Sequence, residues 1–412
     1  MKHNLLVVIM SLCCCIAAFG QAKKVVFIIA DGIPADVLEK LNTPNIQRMI
    51  ATGSYTRMHV GGNQGTFNET PTISAVGYNC LLTGTWLNKH NVDENDIKAP
   101  NYNYQNIFKI FKNRFPGKKT AVFSSWLDNR TKLVDDHFPE TGKPLVDIHF
   151  DGYELDTVNF PHDSKKDYMH RIDEKVIDEA SRTIRDQSPD LSWIYLEYTD
   201  DMGHKYGDSP DYYSAIRLMD AQVGRVLNAI AYRKRKYKED WLLIVTTDHG
   251  RNEKDGRGHG GQSVRQRTTW MASNYSHLNN YARYYDPAIV DIFPSIANFI
   301  AMPLPPFVAH EIDGVPMIGK ISIANLTASY FQDQIDLTWK SLQPTGTVKV
   351  WISTTNNFKE GKIDHYQLIG EYPLNQKHAL INVEKLPSSF YKILVTAKDN
   401  SVNMWVTRGG SK

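Results

Sequence analysis

The chain has 412 residues, 42% of them hydrophobic, with 16 Phe, 21 Tyr and 8 Trp; that is too apolar for a disordered protein and too long for one core. Its 47 Lys and Arg against 45 Asp and Glu give a net charge of +2, which excludes a basic nucleic-acid arm or an acidic tail as its defining feature. One large unit followed by a smaller one is expected.

Residues 1–20 read as a secretory signal. Lys2 supplies the charged start, Leu5 to Ala18 an apolar run, and Ala18-Phe19-Gly20 the small residues before cleavage at Gln21. The run is too short for a hydrocarbon core that needs about twenty residues. Three of the four cysteines, Cys13, Cys14 and Cys15, lie in this stretch, and no small residue precedes Cys13, which disfavours a lipid anchor. The processed chain is expected to be periplasmic or extracellular, with Cys80 its one thiol, no disulfide, no transmembrane segment, and stability drawn from a core or bound metal.

From Gln21 on, strand and helix alternate. Val25 to Ala30 is a continuous apolar run, as in a strand buried on both faces, and it stops at Asp31-Gly32. Thr43-Pro44 is expected to cap and open a helix carrying Ile46, Met49 and Ile50, closed by Gly53. A helix near Ile107 to Phe115, a strand at Thr120 to Phe123, strands at Trp193 to Leu196 and Trp241 to Val245, and a long helix from about Asp211 to Lys236 complete the pattern. The expected fold is α/β, a mostly parallel sheet with helices on both faces, over residues 21–318.

After Gly314 to Lys320, an expected linker, the grammar changes. About seven short strands of period two, among them Ile335 to Trp339, Val348 to Ser353 and Tyr391 to Thr396, separated by turns such as Pro344-Thr345-Gly346, predict a small all-β sandwich over 321–412. The pattern resembles a fibronectin type III domain, with Trp339 as the early-strand tryptophan, and implies a glycan-binding, protein-binding or spacing module.

The acidic residues carry the chemistry. Asp31, Asp200 and Asp248 follow predicted parallel strands, at the edge where such sheets collect ligands, and three carboxylates there repel unless a cation sits between them. His204 lies four residues after Asp200, His249 directly after Asp248, and His259 in the Gly-rich stretch Gly256 to Gly261. Three Asp and three His without a thiolate suit Zn²⁺, with Mn²⁺ a weaker fit, and six donors suit two adjacent ions. Each alone would be a turn former or a loop residue; their conjunction at strand ends points to metal.

In order along the chain, Asp31-Gly32, Pro71-Thr72-Ile73-Ser74 with its serine ten residues before Gly84 of Leu82-Thr83-Gly84, Asp200-x-x-Gly203-His204, Asp248-His249-Gly250 and His259 resemble the alkaline phosphatase superfamily. The similar branch is the type I phosphodiesterase and nucleotide pyrophosphatase group, over about Val25 to Ile318, ending with Val290 to Ile296 as its late helix. The resemblance implies an exported two-zinc phosphoric ester hydrolase acting on a small phosphate ester rather than a nucleic-acid polymer. It implies Ser74 as nucleophile, where that branch usually has threonine, and a phosphoserine-type intermediate. One zinc, held by Asp31, Asp248 and His249, would activate the Ser74 hydroxyl, and Asp200, His204 and His259 would hold the other. Asn95 would donate to a phosphoryl oxygen, although the family's histidine-glycine pair before it is His90-Asn91 here.

Three alternatives bear on this. A sulfatase needs Pro and Arg two and four residues after its nucleophile, and Val76 and Tyr78 stand there. A phosphomonoesterase shares the bimetallic core, so Arg130, Lys132, Arg251 and Arg257 are weighed as phosphate clamps against solvated surface charge. A glycan- or partner-binding protein with a degenerate hydrolase domain would have lost a ligand, and none is missing. The basic run Arg233 to Lys238 is expected at a helix C-terminus, where cations favour the dipole. Deletion after Lys320 is expected to leave turnover of a small ester intact.

Overall fold

The computed structural model describes residues 21–136 and 144–408, so the expected leader lies outside the described residues. A seven-stranded sheet has the order β2-β7-β6-β1-β5-β3-β4. The strands are β1 Lys23–Ala30, β2 Ser54–His59, β3 Thr120–Ser124, β4 Ile148–Phe150, β5 Leu191–Leu196, β6 Asp240–Thr246 and β7 Thr268–Ser273. β1 sits between β6 and β5 and is parallel to both. β3 and β4 continue in parallel, whereas β7 and β2 add an antiparallel edge. The mostly parallel expectation holds; β2, β4 and β7 were not expected, and Ser54–His59 and Ile148–Phe150 are partly exposed runs without a continuous apolar signal.

β1 feeds two cores. Val25, Phe27 and Ile29 pack on one face with the helices Ser74–Thr83, Ile107–Arg114 and Ile292–Phe299. Val26, Ile28 and Ala30 pack on the other with Pro44–Thr52, Asp167–Gln187 and Pro210–Tyr237. The expected helices form, within a residue or two of their limits. Thr43, however, makes no side-chain cap. The Asp220 carboxylate takes its place, accepting from the main-chain N–H groups of Asn45 (3.1 Å) and Ile46 (2.8 Å), so a neighbouring helix closes this terminus. Among the described residues, no helix is long and apolar enough to cross a membrane.

Seven further strands form a sandwich-like unit: β8 Ile323–Phe331, β9 Gln334–Ser341, β10 Thr347–Ser353, β11 Gln367–Pro373, β12 His378–Asn382, β13 Phe390–Thr396 and β14 Ser401–Thr407. β12-β9-β8 make one sheet and β11-β10-β13-β14 the other, with every pairing antiparallel. Trp339 is buried and donates through Nε1 to the Leu374 carbonyl (2.9 Å).

The two units are knitted together. One apolar cluster runs from the sheet face through Ile292, Phe293 and Ile312 to Ile323, Trp339 and Val350. Lys89 is buried, donating to Asp313 (2.5 Å) and to Asn403 on β14 (2.6 Å), and Lys392 on β13 pairs with Glu311 and Asp364, each at 2.6 Å. The expected linker is anchored as well: the main-chain N–H of Val315 donates to Asp291 (2.6 Å) and that of Met317 to Ser295 (2.7 Å).

Cys80 is fully buried on the Ser74–Thr83 helix. Val92 N–H donates to His90 Nδ1 (3.1 Å), so His90 Nε2 carries the proton and donates to Cys80 Sγ (3.3 Å).

Candidate metal centre and active site

The carboxyl ends of β1, β5 and β6 deliver the acids. Asp31 follows β1 directly, and Asp248 follows β6 by two residues. Asp200 sits in the first turn of the helix Tyr198–Tyr206, which begins two residues beyond β5, and His204 lies one turn further on. That helix start is fixed by Asp173, whose carboxylate accepts from the N–H groups of Glu197 (3.2 Å) and Tyr198 (3.0 Å).

Asp31, Asp248 and His249 are all buried and can bring one donor atom each within 4.8 Å of the others. The Nδ1 of His249 faces the Gly250 carbonyl at 2.9 Å; a carbonyl only accepts, so Nδ1 carries the proton and Nε2 is left a lone pair. That Nε2 lies 3.4 Å from Asp31, 3.2 Å from Asp248 and 3.2 Å from Ser74 Oγ, which donates to it. Asp31 Oδ1 and Asp248 Oδ2 are buried and have no hydrogen-bond partner among the described residues. Two orphaned carboxylate oxygens and an imidazole lone pair converging on one point fit a divalent cation. Burial, then the neighbouring Asp248 and Asp200, raises the Asp31 carboxyl well above its ordinary range, and burial pushes Asp248 up to about 7.

A second set, Asp200, His249 and His259, also closes within 4.8 Å, so His249 belongs to both. His259 Nδ1 donates to the Thr72 carbonyl (2.9 Å), which again frees Nε2. His204 Nε2 lies 3.2 Å from Asp200 and 3.0 Å from His259 Nε2, at the exposed rim. Two candidate ligand clusters sharing one histidine form a candidate bimetallic site. The structure therefore connects Asp31, Asp200, Asp248, His249 and His259 through the two clusters, adds His204 through its contacts with Asp200 and His259, and sets Ser74 against His249.

Ser74 opens a ten-residue helix, where free main-chain N–H groups and the helix dipole favour negative charge. Asn95 Oδ1 accepts from Ala75 N–H (3.0 Å), which leaves its amide donors for the pocket that Asn95 lines with Ser74 and Asp31.

Sequence reasoning missed the supports of these groups. Tyr78 and Tyr195 (2.8 Å) both donate to Asp31 Oδ2. Tyr78 lies one helical turn after Ser74, a spacing that could have revealed it. Arg251 is fully buried, not a surface charge: it donates to the Asp200 carboxylate, to the Asp200 carbonyl (2.9 Å) and to the Gly32 carbonyl (2.9 Å). Despite burial, that guanidinium and His204 hold Asp200 well below the usual carboxylate range. The approach requires Gly203, where a Cβ would stand 2.1 Å from Arg251 Cζ.

The other clamp candidates divide. Arg130 is held by Asp151 (2.6 Å) and Asp136 (3.2 Å), and Arg257 is exposed. Lys132 does line the pocket but is paired with Asp128 at 2.8 Å. Arg233, in the basic run, is buried against Glu239 (2.6 Å). Trp126 and Glu197 complete the pocket, which encloses about 440 Å³.

The chain belongs to the type I phosphodiesterase / nucleotide pyrophosphatase family, whose family model matches residues 25–287. It is similar to venom phosphodiesterase CdcPDE of Crotalus durissus collilineatus, at 23% identity over 258 residues that cover 58% of this chain and 27% of that protein. Venom phosphodiesterase 2 of Crotalus adamanteus is 23% identical over 246 residues, 58% of this chain and 28% of the relative. The chain thus spans little more than a quarter of the length of these curated relatives. Among solved structures, murine ectonucleotide pyrophosphatase / phosphodiesterase 5 aligns over 68% of this chain and 96% of its own, with a TM-score of 0.47 and 15% identity.

Proposed function

We propose that this protein is an exported phosphoric diester hydrolase that works with two divalent cations and a covalent phosphoserine at Ser74. The observation that carries the reading is the pair of Asp/His clusters sharing His249, with Ser74 Oγ 3.2 Å from its free nitrogen. Asp31, Asp248 and His249 would hold one ion, and Asp200, His204 and His259 the other, with His249 close enough to serve both. Three Asp and three His suit zinc better than manganese, and the bound ions would supply Lewis acidity at the attacking and phosphoryl oxygens.

The chain's own residues do the rest. Ser74 Oγ forms the bond to phosphorus as the ester oxygen departs, and water then hydrolyses the phosphoserine. The helix N-terminus under Ser74 favours charge on that oxygen, and the Asn95 amide donates to a phosphoryl oxygen. Tyr78 and Tyr195 occupy Asp31 Oδ2 and so direct Oδ1 toward the metal position.

A diester is favoured over a monoester by the pocket wall. Beyond the ligands it offers Asp96, Asp128 and Glu197, and its one ammonium, Lys132, is already paired. Such a wall offers no unpaired cation, among the described residues, for the extra charge of a phosphoryl dianion. The test compares kcat/KM for a phosphate diester and monoester with the same leaving group, with Ser74→Ala as control. A large monoester preference overturns the reading.

A further inference from the structure

The lip of the Ser74 pocket continues into an exposed turn. Trp126 and Asp128 line that pocket, and Leu127 between them donates its main-chain N–H to the Glu154 carboxylate (2.6 Å). Gly152 adjoins the same residue, since a Cβ there would stand 3.9 Å from Leu127 Cδ1. The segment 152–160 is therefore laid against the pocket mouth. Its own chemistry orders it: Tyr153–Leu155 is a turn of 3₁₀ helix, and Asp156 Oδ1 accepts from the N–H groups of Val158 (3.2 Å) and Asn159 (3.0 Å). The rings of Tyr153 and Phe160 meet at 5.6 Å and pack against the core that holds Val26 and Ile28.

This fixed turn presents Leu155, 68% exposed, and Val158, 87% exposed. Apolar residues exposed singly are ordinary; two held on one capped turn, beside Trp126 and Leu127 at the mouth of a site, make a patch continuous with that site. The charges around it are already engaged. Glu154 and Asp156 accept from main-chain N–H groups, Lys175 and Arg182 beside Tyr153 both pair with Glu179, Arg130 pairs with Asp151 (2.6 Å) and Lys132 with Asp128 (2.8 Å). None of these charges is left to select an ionic substituent, whereas the apolar surface of the turn gains by being covered. Resting on the diester reading of the Ser74 site, we infer that one substituent of the substrate is a hydrocarbon chain, alkyl or acyl, which lies along Trp126, Leu127, Leu155 and Val158 while the phosphodiester sits at Ser74.

The test measures kcat/KM of the full chain, supplied with zinc, for p-nitrophenyl alkyl phosphates from methyl to octyl, with the thymidine and choline esters of p-nitrophenyl phosphate as polar and cationic comparators. The value should rise about tenfold or more along the series, since each fully buried methylene contributes about fourfold. Leu155→Asp and Val158→Asp, both at exposed positions, should each lower the octyl-to-methyl ratio about fivefold or more, and Leu380→Asp, exposed on β12, should leave it unchanged. Saturation below the concentration at which the octyl ester aggregates marks a single amphiphile as the source, and a rate jump at that concentration marks a lipid surface. With the methyl ester turned over, so that the diester reading stands, a flat series, a ratio that survives both substitutions, or a comparator preferred to every alkyl ester would overturn the inference. If no diester is turned over, that reading fails instead, and calorimetric binding of the same series to Ser74→Ala decides the rim: affinity that grows with chain length and falls in the Leu155→Asp background supports it, and affinity that does not grow overturns it.

Discussion

Arg251 holds Asp200 twice, through the carboxylate and through the main-chain carbonyl at 2.9 Å. The guanidinium thereby occupies Oδ1 and leaves Oδ2 toward His204. Arg251→Lys keeps the charge but loses the fork, so metal affinity or turnover should fall about 10- to 100-fold, as for other groups that orient metal ligands. Metal content after dialysis, measured beside kcat/KM, checks this. Retention of both ions and full turnover in Arg251→Lys would show that the contact is dispensable.

Ser74→Ala should lower turnover of a chromogenic diester by about 10⁴-fold or more, while metal content stays at the wild-type level. Ser74→Thr should keep a measurable fraction of activity, because threonine offers the same hydroxyl. Acid quench during turnover should yield a phosphorylated peptide containing Ser74. Its absence under conditions that trap the intermediate would favour direct attack by water.

Removing metal should destabilise the fold. Ions that bind only the folded state at about 100 times Kd contribute about 2.7 kcal/mol each. Tm should therefore fall on chelation and recover on addition of zinc. An unchanged Tm together with unchanged activity in chelator would rule out the two-metal centre.

Two buried carboxyls outside the candidate ligand sets predict a pH dependence. Burial pushes Asp173 up to about 7 and Asp291 up to about 6, from an ordinary 3.8. Between those limits the unfolded chain has released protons that the folded chain retains, so their contribution is complete below about pH 4 and is lost as pH rises through about 6 to 7. Calorimetry across that window should show these two carboxyls drawing Tm down as pH rises, against the buried His90 imidazole, whose lowered ionisation draws it up. Asp291→Asn should flatten the lower part of the slope, since the amide cannot titrate.

Deletion after Lys320 carries an expectation opposite to the one drawn from sequence. It removes Asn403 from buried Lys89 and Lys392 from buried Glu311, and it uncovers the shared apolar cluster. Breaking a buried charge pair by removing one partner costs about 3–5 kcal/mol, which falls on Glu311, while Lys89 keeps Asp313 and loses only an amide partner; the uncovered apolar cluster adds to that loss in a domain of marginal stability. The truncated chain should be insoluble or unfolded by circular dichroism. A folded, active truncation would show that the α/β unit stands alone.

How much of this was legible in sequence follows from range. The runs Val25 to Ala30 and Trp241 to Val245 announce buried strands by composition alone, and the acids at their ends announce the site. What was hidden depends on partners distant in the chain. Thr43 has the right chemistry for a cap, yet Asp220 closes that helix from 175 residues away. Arg251 looks like a surface cation until Asp200 and two glycines are folded around it. His249 reads as a ligand of one ion, and only the approach of His259 and Asp200 puts it in both candidate clusters. The knitting of the two units rests on Lys89 and Lys392, and a lysine gives no hint in sequence that it will be buried.

The thiol of Cys80 is sealed on all sides and receives the His90 proton, and burial pushes its ionisation well above the ordinary range. In an oxidising compartment a thiolate on the surface would exchange with passing disulfides. This one offers neither the charge nor the access, so among the described residues the folded chain has no thiol open to covalent dimers or mixed adducts, and alkylating reagents should reach Cys80 only once it is denatured.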